Sequence, residues 1–133
     1  MEIRDLIGGS VVACSSDTTL SKAAGMMKEN GIGSLAVVAA GDLVGILTER
    51  DVLRAAAAGA DAVGERVESW MTPDPDTVEP DVDVIEAAAW MLGTGHRHLP
   101  VVDRSEVLGI VSIKDVLWAV AAPQLGTDDT SGG

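Results

Sequence analysis

The spacing of apolar residues changes along the first half of the chain and predicts four elements in succession. In the segment 20–27, apolar residues recur at the i, i+3, i+4, i+7 positions of one helix face. Two short apolar runs follow, at 35–38 and 43–47, and the Gly-Asp pair at 41–42 is a turn signal between them, so together they predict a hairpin. A second helix is predicted to start after 48 and to end at 59.

The same order of elements is predicted again 64 residues further along the chain. When 17–54 is aligned with 81–118 without a gap, 13 of 38 positions are identical. The composition alone would give roughly three identities, so the sequence is duplicated. The second copy places its elements as follows: a helix from 84, strands over 99–102 and 107–111, a helix after 112, and a stop at Pro123. A short strand is also predicted before the first helix of each copy, near 11–14 and 77–78.

Each copy is a β-α-β-β-α unit, and a unit of about 60 residues buries too little surface to be stable alone. We therefore predict an α/β (α+β) chain in which two pseudo-symmetric repeats pack through their sheets. Repeat one spans 1–58, a connector spans 59–66, and repeat two spans 67–122. The acidic tail at 123–133 is predicted to be disordered.

Composition narrows the range of partners. The chain of 133 residues has a formal net charge of −12 and contains neither Phe nor Tyr. An acidic surface repels phosphate backbones, and single-stranded nucleic acid normally stacks on residues of those two types. We therefore expect no nucleic-acid partner. The net charge does not exclude a small anionic ligand, because distant charges are screened and the local basic groups decide whether it binds.

A reducing cytoplasm is the expected compartment. Cys14 is the only cysteine, so neither an intramolecular disulfide nor a cysteine-based zinc site can form. The first residues lack the basic-then-apolar order of a signal peptide. No apolar run approaches the roughly 20 residues that cross a bilayer, so we expect no membrane partner.

One short motif occurs at the predicted strand-to-helix junction of both copies. Gly45–Asp51 and Gly109–Asp115 both follow the pattern G-x-x-[ST]-x-x-D. The hydroxyl and the acid three residues later fit a helix-capping pair, which is a purely structural role. The same groups also suit a ligand, because a helix N-terminus attracts phosphate and a carboxylate accepts hydrogen bonds from both hydroxyls of a ribose. The pattern by itself leaves both interpretations open.

The duplication, together with this motif, resembles a tandem pair of CBS domains, the Bateman module. Two further segments agree with that family. The segment 67–73 ends in Met-Thr-Pro and is similar to the family's lead-in, and the segment 95–103 contains His-Arg-His before Leu-Pro-Val-Val-Asp and is similar to the start of the family's second strand. Repeat one departs from the second pattern at 31–38, where neither a basic residue nor a proline occurs.

The resemblance implies a ligand and the residues that would hold it. Family members bind AMP, ADP, ATP or S-adenosylmethionine in clefts between the repeats, and the motif's Asp holds the ribose, which corresponds to Asp51 and Asp115 here. The residues expected at the sugar or the phosphate are Thr48, Arg50, Ser112, Lys114, His96, Arg97 and His98. Because only repeat two has basic residues before its second strand, we expect two unequal clefts with one tight phosphate site per chain. The resemblance also implies a homodimer.

Three classes of function are compatible with these observations. The first is a stand-alone regulatory module that senses an adenosine nucleotide, needs no cofactor, and acts on a downstream target that the sequence does not identify. The second is a structural dimerisation or interaction module with vestigial ligand sites. An enzyme ranks last, because Cys14 is expected in the core and because His96 and His98 have no third metal ligand nearby in the sequence.

Two further expectations concern the tryptophans and the acidic run. The three tryptophans are the only aromatic residues besides histidine, and we expect them in the core or at a dimer face. The acidic run at 74–83 is expected to be a solvated linker between the repeats.

Overall fold

The computed structural model describes residues 1–9 and 11–121, which form a mixed α and β structure with two sheets. The tail predicted to be disordered and the helix stop predicted at Pro123 lie outside these residues. In chain order the elements are β1 (Ala13–Ser15), α1 (Leu20–Asn30), β2 (Ser34–Ala39), β3 (Asp42–Thr48), α2 (Glu49–Ala57), β4 (Thr72–Pro73), α3 (Val84–Thr94), β5 (His98–Asp103), β6 (Glu106–Ser112) and α4 (from 113, described as far as 121). Both copies contain the predicted helices and hairpin.

Local signals in the sequence set the ends of the first helix in each repeat. The side chains of Thr19 and Asp83 cap the N-termini of α1 and α3 by accepting a hydrogen bond from a backbone N–H in the first turn. Gly31 and Gly95 follow the same helices with φ values of 63° and 80°, a left-handed conformation that glycine adopts without steric cost. The chain can therefore turn from each helix directly into β2 or β5.

The first sheet has four strands in the order β1-β2-β3-β4. β1 is parallel to β2, and β2 and β3 form the predicted antiparallel hairpin. β4 pairs with the edge of β3 in the antiparallel sense, although it belongs to the lead-in of repeat two. The second sheet is the hairpin of β5 and β6, with Val78 bridged in parallel to Val101 beside it. The strand predicted at 77–78 is thus reduced to a single bridge.

The two lead-in segments cross between the repeats. Ile3 is fully buried in the core of repeat two, and its N–H donates to the carbonyl oxygen of Val82 at 2.8 Å. Val67 is fully buried in the core of repeat one, and its N–H donates to the carbonyl oxygen of Thr18 at 2.8 Å. Each repeat therefore completes its core with the start of the other, which joins them into one body.

An apolar core lies in each repeat, between its helices and its sheet. In repeat one, Leu20, Ala23 and Met27 of α1 pack with Leu35 and Leu47 of the hairpin, and this is the helix face that the sequence predicts. The corresponding residues of α3 and β5 do the same in repeat two. β2 and β3 also contact β6 across the boundary between the repeats. The predicted α+β architecture of two repeats packed through their sheets is confirmed.

Two of the three tryptophans are exposed, although one of our two expectations placed them in the core. Trp90 and Trp118 are 42% and 68% exposed, and Trp70 is half-buried at the edge of the repeat-one core. The prediction of a core position is wrong for Trp90 and Trp118, because the buried faces of α3 and α4 are already formed by smaller side chains such as Ala87 and Ala119. A position at a dimer face remains a prediction.

Candidate functional site

A cleft of about 430 Å³ opens where the strand-to-helix junction of repeat one faces the start of β5 in repeat two. Six of the predicted site residues line this one cleft: Thr48, Arg50, Asp51, His96, Arg97 and His98. Repeat one supplies the motif hydroxyl and carboxylate, and repeat two supplies the basic triplet. The two repeats therefore contribute different chemistry to the same site.

Asp51 is a buried carboxylate in this cleft, with a residue exposure of 6%. Its Oδ2 accepts hydrogen bonds from the Thr48 N–H at 2.9 Å and from the Thr48 hydroxyl at 3.1 Å. In return, Thr48 Oγ1 accepts a hydrogen bond from the Asp51 N–H at 3.3 Å. This is a complete capping box, so the structural role of the motif is present. A carboxylate has about four lone-pair sites, so the box leaves room for a ligand as well.

A neighbour of Asp51 that sequence reasoning missed is Arg54, one turn further along α2. Its Nη1 donates to Asp51 Oδ1 at 2.7 Å. The guanidinium carbon of Arg54 lies 5.8 Å from the centre of the Trp70 ring, and Trp70 Nε1 donates to Glu65 Oε1 at 2.8 Å. The i, i+3 spacing of an acid and a base on one helix is the signal in the sequence that indicates this pair.

Arg97 and His98 differ in exposure and in charge. Arg97 is exposed, and its carbonyl oxygen accepts a hydrogen bond from the Ile113 N–H at 2.8 Å at the start of α4. His98 is half-buried, and burial lowers its pKa, an effect that the nearby Glu49 carboxylate partly opposes. Near neutral pH His98 is therefore an uncharged hydrogen-bonding group, and Arg97 is the fixed positive charge.

His96 is held at the cleft by side chains of its own repeat. Its Nε2 lies 2.9 Å from Asp76 Oδ2, its Nδ1 lies 2.6 Å from the Thr94 hydroxyl, and its ring stacks on Trp90 with 4.7 Å between centroids. Asp76 and Asp74 both line the cleft. Both residues are exposed, which agrees with the predicted solvated run, and they line the cleft because the chain that follows β4 runs along it.

The equivalent junction of repeat two is built differently. Ser112 Oγ accepts a hydrogen bond from the Asp115 N–H at 3.1 Å, but Asp115 and Lys114 are both exposed. A separate cavity of about 180 Å³ lies beside the preceding strand, and its lining within the described residues, which includes Leu6 and Ile110, contains no acidic or basic side chain. Ser112, Lys114 and Asp115 do not line the cleft that contains the other six predicted residues.

The structure of residues 1–9 and 11–121 also bears on a metal site, on Cys14 and on membrane-spanning helices. Within these ranges, no three His, Cys, Asp or Glu residues are arranged as a metal site. Cys14 is buried in the core of repeat one as predicted, and burial raises the pKa of its thiol. None of the helices in the same ranges combines the length and the apolar character needed to span a membrane.

Comparison with known proteins agrees with the duplicated architecture. The family model of the CBS domain matches twice, over residues 3–58 and 67–122. The chain belongs to the CBS domain family. This CBS pair is 41% identical over 106 residues to an uncharacterised 17.7 kDa protein of Acidianus ambivalens, and the match covers 78% of this chain and 63% of that protein. The chain thus spans 63% of the length of that protein and 57% of the length of the next curated relative that it matches.

Solved structures of CBS proteins have the same fold. A protein with CBS domains from Burkholderia ambifaria gives a TM-score of 0.85 at 32% identity, over 93% of this chain and 96% of that chain. A CBS domain protein of Pyrobaculum aerophilum, solved in complex with AMP, gives a TM-score of 0.81 at 26% identity, over 92% of this chain and 99% of that chain. The resemblance stated from the sequence is confirmed.

Proposed function

We propose that this CBS pair is a regulatory module that binds an adenosine nucleotide in the Asp51 cleft and carries out no chemistry on it. The observation that supports this most is that one cleft collects a buried carboxylate, a hydroxyl and an arginine, those of Asp51, Thr48 and Arg97. A carboxylate accepts the hydrogen bonds of ribose hydroxyls, and an arginine forms charge-assisted contacts with a phosphate. The AMP complex of the Pyrobaculum relative supports the same class of ligand.

The charges in the cleft favour a monophosphate over a triphosphate. The lining contains more carboxylates than fixed cations: the carboxylates belong to Glu49, Asp51, Asp74 and Asp76, and the cations to Arg50 and Arg97. Each further phosphate adds negative charge to a cleft that already has an acidic excess, which costs free energy. We therefore propose AMP in preference to ADP and ATP, with S-adenosylmethionine, whose positive charges suit the carboxylates, as the alternative ligand.

AMP is expected to bind more tightly than 2′-deoxy-AMP, because the deoxy compound leaves Asp51 without one hydroxyl partner. A hydrogen bond to a charged group contributes about 1.5–3 kcal/mol, so the affinities should differ by about 10- to 150-fold. Isothermal titration calorimetry measures both, with GMP as the control for the base. Equal affinity of the two compounds would contradict a ribose contact at Asp51, and the absence of binding by either would favour an interaction module.

We also propose that the chain forms a homodimer. Leu53 on α2 and Leu117 and Trp118 on α4 are 69%, 41% and 68% exposed, and exposed apolar surface of this kind often marks a contact with another protein. A closed twofold would cover both helices. Size exclusion with light scattering is expected to give twice the chain mass of 13.6 kDa for the wild type. The Leu53→Ser/Trp118→Ser variant is expected to give a monomer, and a monomeric wild type would contradict the proposal.

The second candidate function is a structural interaction module without a ligand. The exposed apolar residues on α2 and α4 favour it, because they offer a contact surface that does not depend on the cleft. In either case we propose a cytoplasmic, non-catalytic protein. We propose that its partners are neither nucleic acid nor membrane, since a net charge of −12 repels phosphate backbones and anionic lipid surfaces.

A further inference from the structure

The two motif aspartates differ in their surroundings in a way that the shared motif does not explain. Asp51 is buried and forms an ion pair with Arg54. The position 64 residues after Arg54 is Trp118, which is 68% exposed. Repeat two therefore offers Asp115 no guanidinium at the matching position, and Asp115 itself is exposed. The pairing of a motif aspartate with an arginine is thus a property of repeat one.

Arg54 contacts Asp51 without lining the cleft. Its guanidinium is held over the face of Trp70, with 5.8 Å from the guanidinium carbon to the ring centre. Trp70 is in turn fixed through its Nε1, which donates to Glu65 Oε1 at 2.8 Å. An arginine side chain that is 58% exposed would otherwise sample many rotamers. The stack on Trp70 restricts it to the neighbourhood of the carboxylate.

Both oxygens of the Asp51 carboxylate are thus already held by protein groups, one by Thr48 in the cleft and the other by Arg54 outside its lining. Oδ2 accepts from the backbone and hydroxyl of Thr48, and Oδ1 accepts from Arg54. One lone-pair site of Oδ1 remains free, and the Thr48 hydroxyl can rotate to free a second site, on Oδ2. A ribose diol would therefore meet a carboxylate that is already oriented and already paired with a positive charge, which lowers the cost of ordering the site on binding.

We propose that Arg54 is a positioning residue for the ribose. Stacked on Trp70, it holds the Asp51 carboxylate in the orientation that accepts a ribose diol, so that the Asp51 junction, and not the Asp115 junction, binds the sugar. This inference rests on the proposed function, because it presumes a ligand with a ribose. It also means that the connector, through Glu65, and the lead-in of repeat two, through Trp70, support the binding site at repeat one.

Calorimetry with AMP and 2′-deoxy-AMP tests the inference in the full chain. Arg54→Met keeps the side-chain stem and removes the charge, and the affinity for AMP is expected to fall by about fivefold or more, while that for 2′-deoxy-AMP changes by less than about twofold. Arg54→Lys restores a charge near Asp51 and is expected to recover part of the loss. Lys22→Met removes one exposed charge elsewhere, on α1, and is the matched control that should keep both affinities.

The fluorescence of Trp70 gives a second measurement, which tests in solution the stack on which the positioning of Arg54 depends. In a Trp90→Phe/Trp118→Phe background, Trp70 is the only tryptophan, and Arg54→Met is expected to change its emission because the guanidinium leaves the ring. Unchanged emission would show that the stack does not form in solution, and would overturn the inference.

The calorimetric outcomes separate this inference from the proposed function. If the wild type prefers AMP to 2′-deoxy-AMP and Arg54→Met keeps that preference, the role of Arg54 is wrong and the proposed function stands. Equal losses for both compounds would mean that Arg54 acts through overall charge alone, which also overturns the inference. If the wild type binds neither compound, the proposed function fails and the inference fails with it.

Discussion

Replacement of Gly45 by alanine is expected to lower the free energy of unfolding by about 1–3 kcal/mol, because the added methyl group overpacks a filled site. Gly45 lies in β3, where β4 pairs with it from the lead-in of repeat two. A Cβ atom at Gly45 would collide with the Met71 side chain and lie 3.0 Å from the carbonyl oxygen of Thr72. The Met71 side chain can move, but the carbonyl belongs to the paired strand. Denaturant unfolding followed by circular dichroism measures the loss.

Two other glycines supply comparisons for this prediction. A Cβ atom at Gly109 would lie 2.9 Å from Ile7 Cγ2, and because that methyl group moves only with χ1 or the backbone, Gly109→Ala is expected to destabilise the chain as well. Gly93 lies inside α3 with no atom within 4 Å of an added Cβ, and Gly93→Ala should stabilise the chain by about 0.5–1 kcal/mol. If Gly45→Ala were as stable as the wild type, close packing against the lead-in of repeat two would not be the reason for a glycine at the first position of the motif.

The helices and hairpins could be predicted because each depends on residues that are close in sequence. The buried face of α1, with Leu20, Ala23 and Met27, follows directly from helical spacing, and the duplication without gaps extends the same prediction to repeat two. The crossing of the lead-ins could not be predicted in this way. Ile3 and Val67 would be apolar whether each packed in its own repeat or in the other, and a duplicated sequence is compatible with both arrangements.

The candidate site could be predicted in part, for a similar reason. Thr48 and Asp51 belong to a motif with a fixed spacing, and the basic triplet is visible as a departure from repeat one. Arg54 and Asp76 were missed, since ion pairs on a helix surface are common and contribute little on average, and since acidic runs are usually solvated. Tertiary contacts distinguish these two residues from ordinary surface charges: Trp70 restrains Arg54, and the chain after β4 places Asp76 beside His96.

Replacement of Arg97 by alanine is expected to weaken AMP binding by about tenfold or more and to leave adenosine binding within about twofold, because only the phosphate contact is lost. Arg97 lines the cleft that contains Asp51, so one ligand can reach both. His98 cannot substitute for the lost charge near pH 7, because burial lowers its pKa. Its ring gains a charge, and AMP binding gains strength from it, only as the pH falls through that lowered pKa. Between pH 7 and pH 8 the contribution of His98 is therefore expected to be constant.

A matched arginine at the opposite end of the same strand serves as the control for this prediction. Arg104 follows β5 in the turn to β6 and does not line the cleft, so Arg104→Ala removes the same charge and should bind AMP as the wild type does. Calorimetry is expected to show one AMP per chain, since the junction at Asp115 is exposed and has Ile32, Gly33 and Ser34 in place of the basic triplet. Two equivalent sites per chain, or normal AMP binding by Arg97→Ala, would place the phosphate elsewhere, and Arg50 would then be the remaining fixed cation in the cleft.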